Sequence, residues 1–200
     1  MYKKLKLYGF FGFFKMFRNL VRTKIFFPQA RIIRFPFDIR NRKYIKIGVG
    51  FTSGVGCRFE AHPEKPDSEP CLIIGKNVEV NDYVHIVARK KVEIGNNVLM
   101  AGKIFITDLN HGSYGKNDIH DSPETLPNNR PLSAEPVIIE DNVWIGEFVS
   151  ILPGVRIGKG SIIGTMSVVS KNIPEFCIAA GSPAKVIKKY DFNLKKWIKA

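Results

Sequence analysis

Between Val137 and Pro174 the sequence counts in sixes. Ile139, Ile145, Ile151, Ile157, Ile163 and Val169 stand six residues apart without a gap, and Val143, Val149, Val155, Ser161, Ser167 and Ile173 each follow by four. A helix would repeat near 3.6 residues and a half-buried strand at two. A period of six is met by short strands joined by tight turns and wound into a parallel β-helix, each coil stacked on the last. The leading aliphatic then points into a narrow core and the residue four places on fills a corner. Glycine in Ile145-Gly146, Ile157-Gly158 and Ile163-Gly164 eases the bend that a Cβ would hinder. The competing arrangement is an antiparallel sandwich with coincidental spacing, against which six matches in register weigh heavily.

The same beat runs earlier, through Ile47, Ser53 and Phe59, then Ile74, Val80 and Ile86, then Ile94, Met100 and Ile106. Three hexads make one triangular turn, so the marks group as 47–64, 74–91, 94–111, 139–156 and 157–174. The expected fold is all-β: a parallel β-helix of about five coils, a long loop at residues 107–136, and short N- and C-terminal extensions. Residues 1–46 form the N-terminal extension, 47–175 the repeat domain, and 176–200 a C-terminal segment ending in a short helix. That helix is expected over Asp191 to Lys199, capped by Asp191 and burying Leu194, Trp197 and Ile198. A loop as long as 107–136 inside a compact repeat points to function.

The net charge of +13 is not spread over the chain. Residues 1–46 carry thirteen Lys and Arg against Asp38 alone, while residues 47–200 carry eighteen against seventeen acids. A nucleic-acid footprint lies across the folded face that reads the backbone; a basic appendage directs attention to membranes instead. In residues 1–24, Phe10, Phe11, Phe13, Phe14 and Phe17 alternate with seven Lys and Arg, too charged to span a bilayer but suited to an anionic lipid interface. Packing of these aromatics against the base of the β-helix or a neighbouring subunit is the other reading. Gly9 and Gly12 weaken a helix there, and no clean polar face emerges. Cys57, Cys71 and Cys177 are scattered and read as reduced, buried thiols, placing the protein in the cytoplasm, peripheral at the inner membrane face if the tail binds lipid. A cleavable signal peptide is not expected.

Of the four histidines, His111 sits at the root of the long loop beside Asp108, Asn110 and Gly112. A neutral imidazole there can take a proton from an acceptor hydroxyl, since histidine titrates near working pH. His85 faces outward one coil earlier, within reach of an acceptor, and His62 and His120 fall in loops. No Gly-x-Ser-x-Gly elbow, P-loop or dinucleotide fingerprint is present. A zinc site would need three converging ligands; His85, His111 and His120 supply the count without the spacing, so no metal is expected.

Three passages resemble the hexapeptide-repeat acyltransferases with a left-handed parallel β-helix: Ile94-Gly-Asn-Asn-Val-Leu-Met through Ile106-Thr-Asp-Leu-Asn-His-Gly, Ile139-Glu-Asp-Asn-Val-Trp-Ile-Gly through Ile151-Leu-Pro-Gly-Val-Arg-Ile-Gly, and Ile178-Ala-Ala-Gly-Ser-Pro-Ala-Lys-Val-Ile. Within that family the likeness is to the maltose, galactoside and nodulation-type O-acetyltransferases, closest to the branch acting on capsular and O-antigen sugars, and it covers roughly residues 71–189. The resemblance implies a homotrimer with acetyl-CoA in the groove between neighbouring prisms, direct transfer to a sugar or lipid-linked glycan, and His111 as general base. It implies acceptor contacts from Asn81, His85, Asp108, Asn110 and Trp144. It implies cofactor contacts from Trp144, Gly146, Gly164, Thr165, Ser167, Lys171, Ala180, Gly181, Pro183 and Lys185, with Lys171 or Lys185 toward the phosphates. Nucleic acid is not an expected partner. N-acetylation of an amino-sugar nucleotide and a non-catalytic or metal-binding β-helix are the alternatives. Two departures stand out: Met166 replaces a usual glycine, and the basic Phe-rich N-terminus has no counterpart in the maltose and galactoside enzymes.

Overall fold

A computed structural model describes residues 2–115 and 118–200; the part of the expected lipid-binding segment carried by the side chains of residues 1–8 lies outside the described residues. The chain visits three parallel sheets in fixed rotation. The first sheet holds Ile32–Ile33, Thr52–Ser53, Glu79–Val80, Leu99–Met100, Trp144–Ile145, Ile162–Ile163 and Cys177–Ala180. The second holds Phe37–Arg40, Cys57–Ala61, His85–Ala88, Phe105–Thr107, Ser150–Ile151 and Val168–Val169. The third holds Ile45–Ile47, Leu72–Ile74, Val92–Ile94, Val137–Ile139 and Arg156–Ile157.

The six-residue marks are the core. Ile139, Ile145, Ile151, Ile157, Ile163 and Val169 are buried, and so are Val143, Val149, Val155, Ser161, Ser167 and Ile173. Each mark sits above its equivalent, with Ile139 paired to Ile157 and Ile145 to Ile163. The tight turns need left-handed backbone, and asparagine supplies it at the edge between third and first sheets. Asn77, Asn97 and Asn142 have φ of 54°, 56° and 60°, and their amides link into a ladder, Asn77 Nδ2 to Asn97 Oδ1 at 3.3 Å and Asn97 Nδ2 to Asn142 Oδ1 at 3.2 Å. At the next edge Tyr83, Lys103, Phe148 and Met166 take the same conformation. Met166, at φ 59° and 72% exposed, therefore adds its bulk outside the turn.

The coil begins earlier than residue 47. Ile32–Ile33 pairs in parallel with Thr52–Ser53, and Phe37–Arg40 with Cys57–Ala61, so the β-helix takes in part of the expected extension. Phe27, Phe37, Phe51 and Phe59 close its base, with ring centroids 5.1–6.4 Å apart. What precedes is an α-helix, Tyr2–Phe26. Gly9 (φ 65°) kinks it, whereas Gly12 stays helical.

At the other end the expected helix over Asp191 to Lys199 is replaced by a hairpin. Lys185–Asp191 pairs antiparallel with Cys177–Ala180 and with Lys196–Lys199. Asp191 does cap, but it caps a turn: its Oδ1 accepts the amides of Asn193 and Leu194, both at 2.9 Å. The same Asp chemistry starts helices and turns, and here Lys195 at φ 50° sends the chain back. Leu194, Trp197 and Ile198 stay exposed.

A buried carboxylate ties the early coils together. Glu60 on the outer side of the second sheet is 5% exposed. It meets Arg58 Nε at 2.6 Å, His85 Nε2 at 2.9 Å, Arg40 Nη1 at 3.1 Å and His62 Nε2 at 3.4 Å. Burial alone would push its carboxyl up, but the bonds from His85, Arg58 and His62 outweigh it and bring it down from 4.5 to about 2. A depressed acid stabilises the fold above its unfolded value and loses that contribution as pH falls toward its folded value. Glu60→Gln is expected to cost at most about 3 kcal/mol at pH 7. Its deficit against wild type should shrink between pH 5 and pH 2 in urea unfolding; a deficit constant across that window would remove Glu60 as the source.

Candidate active site

The long insertion leaves the prism after Phe105–Thr107 and returns at Val137–Ile139, at the edge between second and third sheets. It starts as a two-stranded ribbon, Leu109–His111 against Leu132–Ala134, with His111 opposite Leu132. Asp108 anchors the root. Fully buried, its carboxylate accepts the backbone amides of Arg89 at 2.8 Å, Lys90 at 2.8 Å and Lys91 at 2.6 Å. Burial pushes its carboxyl above the usual value against the pull of those three amides. Asp108 is thus committed to holding the ribbon on the preceding coil, which leaves it no part in the acceptor contact expected of it.

His111 is exposed, its position fixed through its backbone. The Tyr114 hydroxyl donates to the His111 carbonyl, and Arg130 Nη1 donates to that hydroxyl at 2.9 Å. Arg130 is itself held by the carbonyls of Thr125 and Pro123 at 2.9 and 3.1 Å. Gly112 has φ 102°, and a Cβ there would lie 2.8 Å from the Tyr114 hydroxyl, so only glycine permits this tie. Neither Tyr114 nor Arg130 belongs to a recognisable motif, and sequence reading passed over both. Asn110 lines a cleft with Ser113, Tyr114 and Ser133; strand alternation turns His111 to the opposite face, so these two neighbours do not converge.

Asn81 donates from Nδ2 to the Met100 carbonyl at 3.0 Å, at the edge between first and second sheets. His85 faces outward as expected, but its ring packs on Phe105 at 5.3 Å and its Nε2 is held by Glu60. Trp144 is 50% exposed on the outer face of the first sheet, flanked in register by Leu99 and Ile162. That face lies across the triangle from the edge where the ribbon leaves, so within one chain Trp144 does not stand near the loop.

The remaining candidates divide between edges. Gly146, Gly164, Thr165 and Ser167 fall in turns between first and second sheets, with Ala180, Gly181, Pro183 and Lys185 following on the first-sheet side. Thr165, Gly181, Pro183 and Lys185 are exposed, and the small Gly164, whose added Cβ would meet that of Ala180 at 2.9 Å, keeps this edge close-packed. Two of the group are used by the fold. Gly146 is buried, and a Cβ on it would meet the Thr165 amide at 2.6 Å. Ser167 is buried, donating to the Gly164 carbonyl at 2.6 Å and accepting from the Gly181 amide at 3.0 Å. Lys171 lies in the turn after Val168–Val169, on the ribbon's edge and away from the others. Among the described residues no group of three or more His, Cys, Asp or Glu is placed to hold a metal.

The family model described as bacterial transferase hexapeptide (six repeats) matches residues 136–171. The Escherichia coli (strain K12) protein named "Putative lipopolysaccharide biosynthesis O-acetyl transferase WbbJ" is 46% identical over 198 residues, 99% of this chain and 98% of that one. A solved galactoside acetyltransferase in complex with coenzyme A is 32% identical with a TM-score of 0.54, over 75% of this chain and 70% of the other. A variant of AntD, an N-acyltransferase from Bacillus cereus solved with dTDP-4-amino-4,6-dideoxyglucose and coenzyme A, shares the fold at 20% identity, with a TM-score of 0.66 over 83% of each chain.

Proposed function

The chain belongs to the hexapeptide-repeat transferases, and from that premise we propose an acetyl-CoA-dependent O-acetyltransferase acting on a sugar hydroxyl in O-antigen or capsule synthesis. The whole-length identity to the lipopolysaccharide O-acetyl transferase carries the choice of acceptor class. The coenzyme A complex of the galactoside enzyme carries the choice of donor. The left-handed coil is taken from the same family.

In this reading His111 takes the proton from the acceptor hydroxyl. The freed oxygen attacks the thioester carbonyl, the C–S bond breaks, the proton held by His111 passes to the departing sulfur, and the acetyl ester and the coenzyme A thiol leave. Tyr114 and Arg130 fix the backbone that carries the base. Thr165, Gly181, Pro183 and Lys185 line the exposed edge for the extended donor, with Lys185 toward its phosphates. Asn81 and Trp144 are assigned to the acceptor side. The separation of His111 from Trp144 and the donor edge in one chain supports a site shared between neighbouring subunits of a homotrimer, in the cytoplasm.

The test is complementation. His111→Ala and Trp144→Ala proteins, each impaired alone, are mixed, dissociated and reassembled. A site drawing its base from one subunit and its edge from the next is expected to recover about a quarter of the wild-type sites on random reassortment. No recovery in trimers of verified mixed composition would place both residues in one subunit's site, and a persistent monomer binding acetyl-CoA stoichiometrically would remove the trimer. Acetylation of amino-sugar nucleotides in preference to hydroxyl acceptors would turn the reading to the N-acetyl class.

A further inference from the structure

The N-terminal helix is attached the wrong way round for a soluble protein. On its inward face Gly12, Met16, Asn19 and Thr23 follow one another at helical spacing, and the two that are buried, Asn19 and Thr23, are polar. Thr23 Oγ1 donates to the Asn19 carbonyl at 2.6 Å and accepts the Ile33 amide at 2.8 Å, docking the helix on the first strand. The opposite face carries Phe10, Phe14, Phe17, Val21 and Ile25 at spacings of four, three, four and four, a continuous apolar stripe. They are 64%, 54%, 58%, 44% and 66% exposed, and Phe11 beside them is 88% exposed. Polar anchorage fixes the rotation of the helix, so the apolar stripe must face away from the prism.

We propose that this stripe is a docking surface for an anionic lipid bilayer. The charge around it selects that occupant. Lys15, Arg18 and Arg22 are exposed along one side of the stripe, and the chain has no acidic residue before Asp38. A second copy of the helix would bring the same positive charge to the contact and be repelled, whereas a lipid surface of opposite sign is attracted. No helix of the described residues is long and apolar enough to cross a membrane, so the helix lies in the interface plane, rings among the acyl boundary and cations among the headgroups. The prism is then suspended from the membrane through this helix, which Thr23 ties to Ile33.

This inference does not depend on the acetyl-transfer reading, and its test needs no acceptor. The full chain is sedimented with vesicles of phosphatidylcholine alone and of phosphatidylcholine with phosphatidylglycerol. Binding is expected only to the anionic vesicles. It should weaken at least ~10-fold in Phe14→Ser/Phe17→Ser, which loses the apolar part, and ~10-fold in Lys15→Gln/Arg18→Gln, which loses the charge. Salt should reduce it without abolishing it, because the apolar part is unscreened. Wild-type protein left in the supernatant with anionic vesicles at low salt overturns the proposal. So does a Phe14→Ser/Phe17→Ser protein that changes its solution mass while binding vesicles unaltered, since the stripe then packs between copies. Should that variant fail to fold, Phe14→Trp replaces it. Added fluorescence quenching by brominated phosphatidylglycerol, relative to wild type, supports insertion, and its absence overturns it.

Discussion

His111→Ala is expected to lower acetyl transfer by ~10²-fold or more, the scale of general-base assistance, while leaving solution mass and thermal unfolding unchanged. The side chain is exposed, and the ties that hold its strand run through the backbone carbonyl and the partner strand, which alanine keeps. The loss should appear in kcat, with the KM for acetyl-CoA little changed, because the imidazole is assigned to the acceptor proton and not to the donor edge. Purified His111→Ala with near-wild-type turnover on its acceptor would remove His111 from the mechanism. Tyr114→Phe is the informative companion: it deletes the hydroxyl under the His111 carbonyl without touching the ring, and separates holding the base from being it.

Asp108→Ala should do the most damage to the fold. It strips three amides, those of Arg89, Lys90 and Lys91, of the buried carboxylate they share. Bonds to a charged partner are worth more than neutral ones, and orphaned donors retain their desolvation cost, so a loss of about 3–5 kcal/mol is expected. In a chain of this size that lowers Tm by on the order of 10 °C. Asp108→Asn should be scarcely better, because its amide nitrogen would face amides that need an acceptor. Activity should fall as well, since the root of the ribbon bearing His111 is released. Scanning calorimetry that finds Asp108→Ala melting within ~2 °C of wild type would show that water or a rearranged turn replaces the carboxylate.

How far the sequence could be read follows from which signals are local. The isoleucine beat was legible because each mark answers to the residue stacked on it, and every one is buried. The start of the coil was missed because its beat is short: Ile33 and Ile39 stand six apart, beneath Ser53 and Phe59, but a step of eight then leads from Ile39 to Ile47. Asp191 was misread because an acid two and three residues before free amides caps a turn as well as a helix; only the return pairing of Lys196–Lys199 decides. In the candidate site, nearness to His111 made Asp108 and Asn110 look like partners in catalysis. Strand alternation and burial separate them, and neither shows in a motif. Ser167 fits the repeat so well that its hydroxyl is taken by its own corner. The apolar stripe of the N-terminal helix emerges only once Asn19 and Thr23 fix which side faces the prism.

The C-terminal hairpin also settles where the stack stops. A column of parallel strands has no internal reason to end, since the last coil offers the same row of amides and carbonyls that every earlier coil used to recruit its successor. On the first sheet that growing end is covered by Lys185–Asp191, which runs antiparallel and so breaks the repeat. Beyond it, Lys196–Lys199 presents an edge with lysine at both ends, a poor template for another chain. On the other two sheets later chain also covers the last strand: the Ile173 amide donates to the Arg156 carbonyl at 2.9 Å, and Val168 exchanges backbone bonds with Gly181 and Ala184. At the opposite end the helix and the phenylalanine cluster occupy the base. The prism is thereby a length of cross-β architecture with both terminals insulated, which lets a filament-forming geometry exist as a discrete unit.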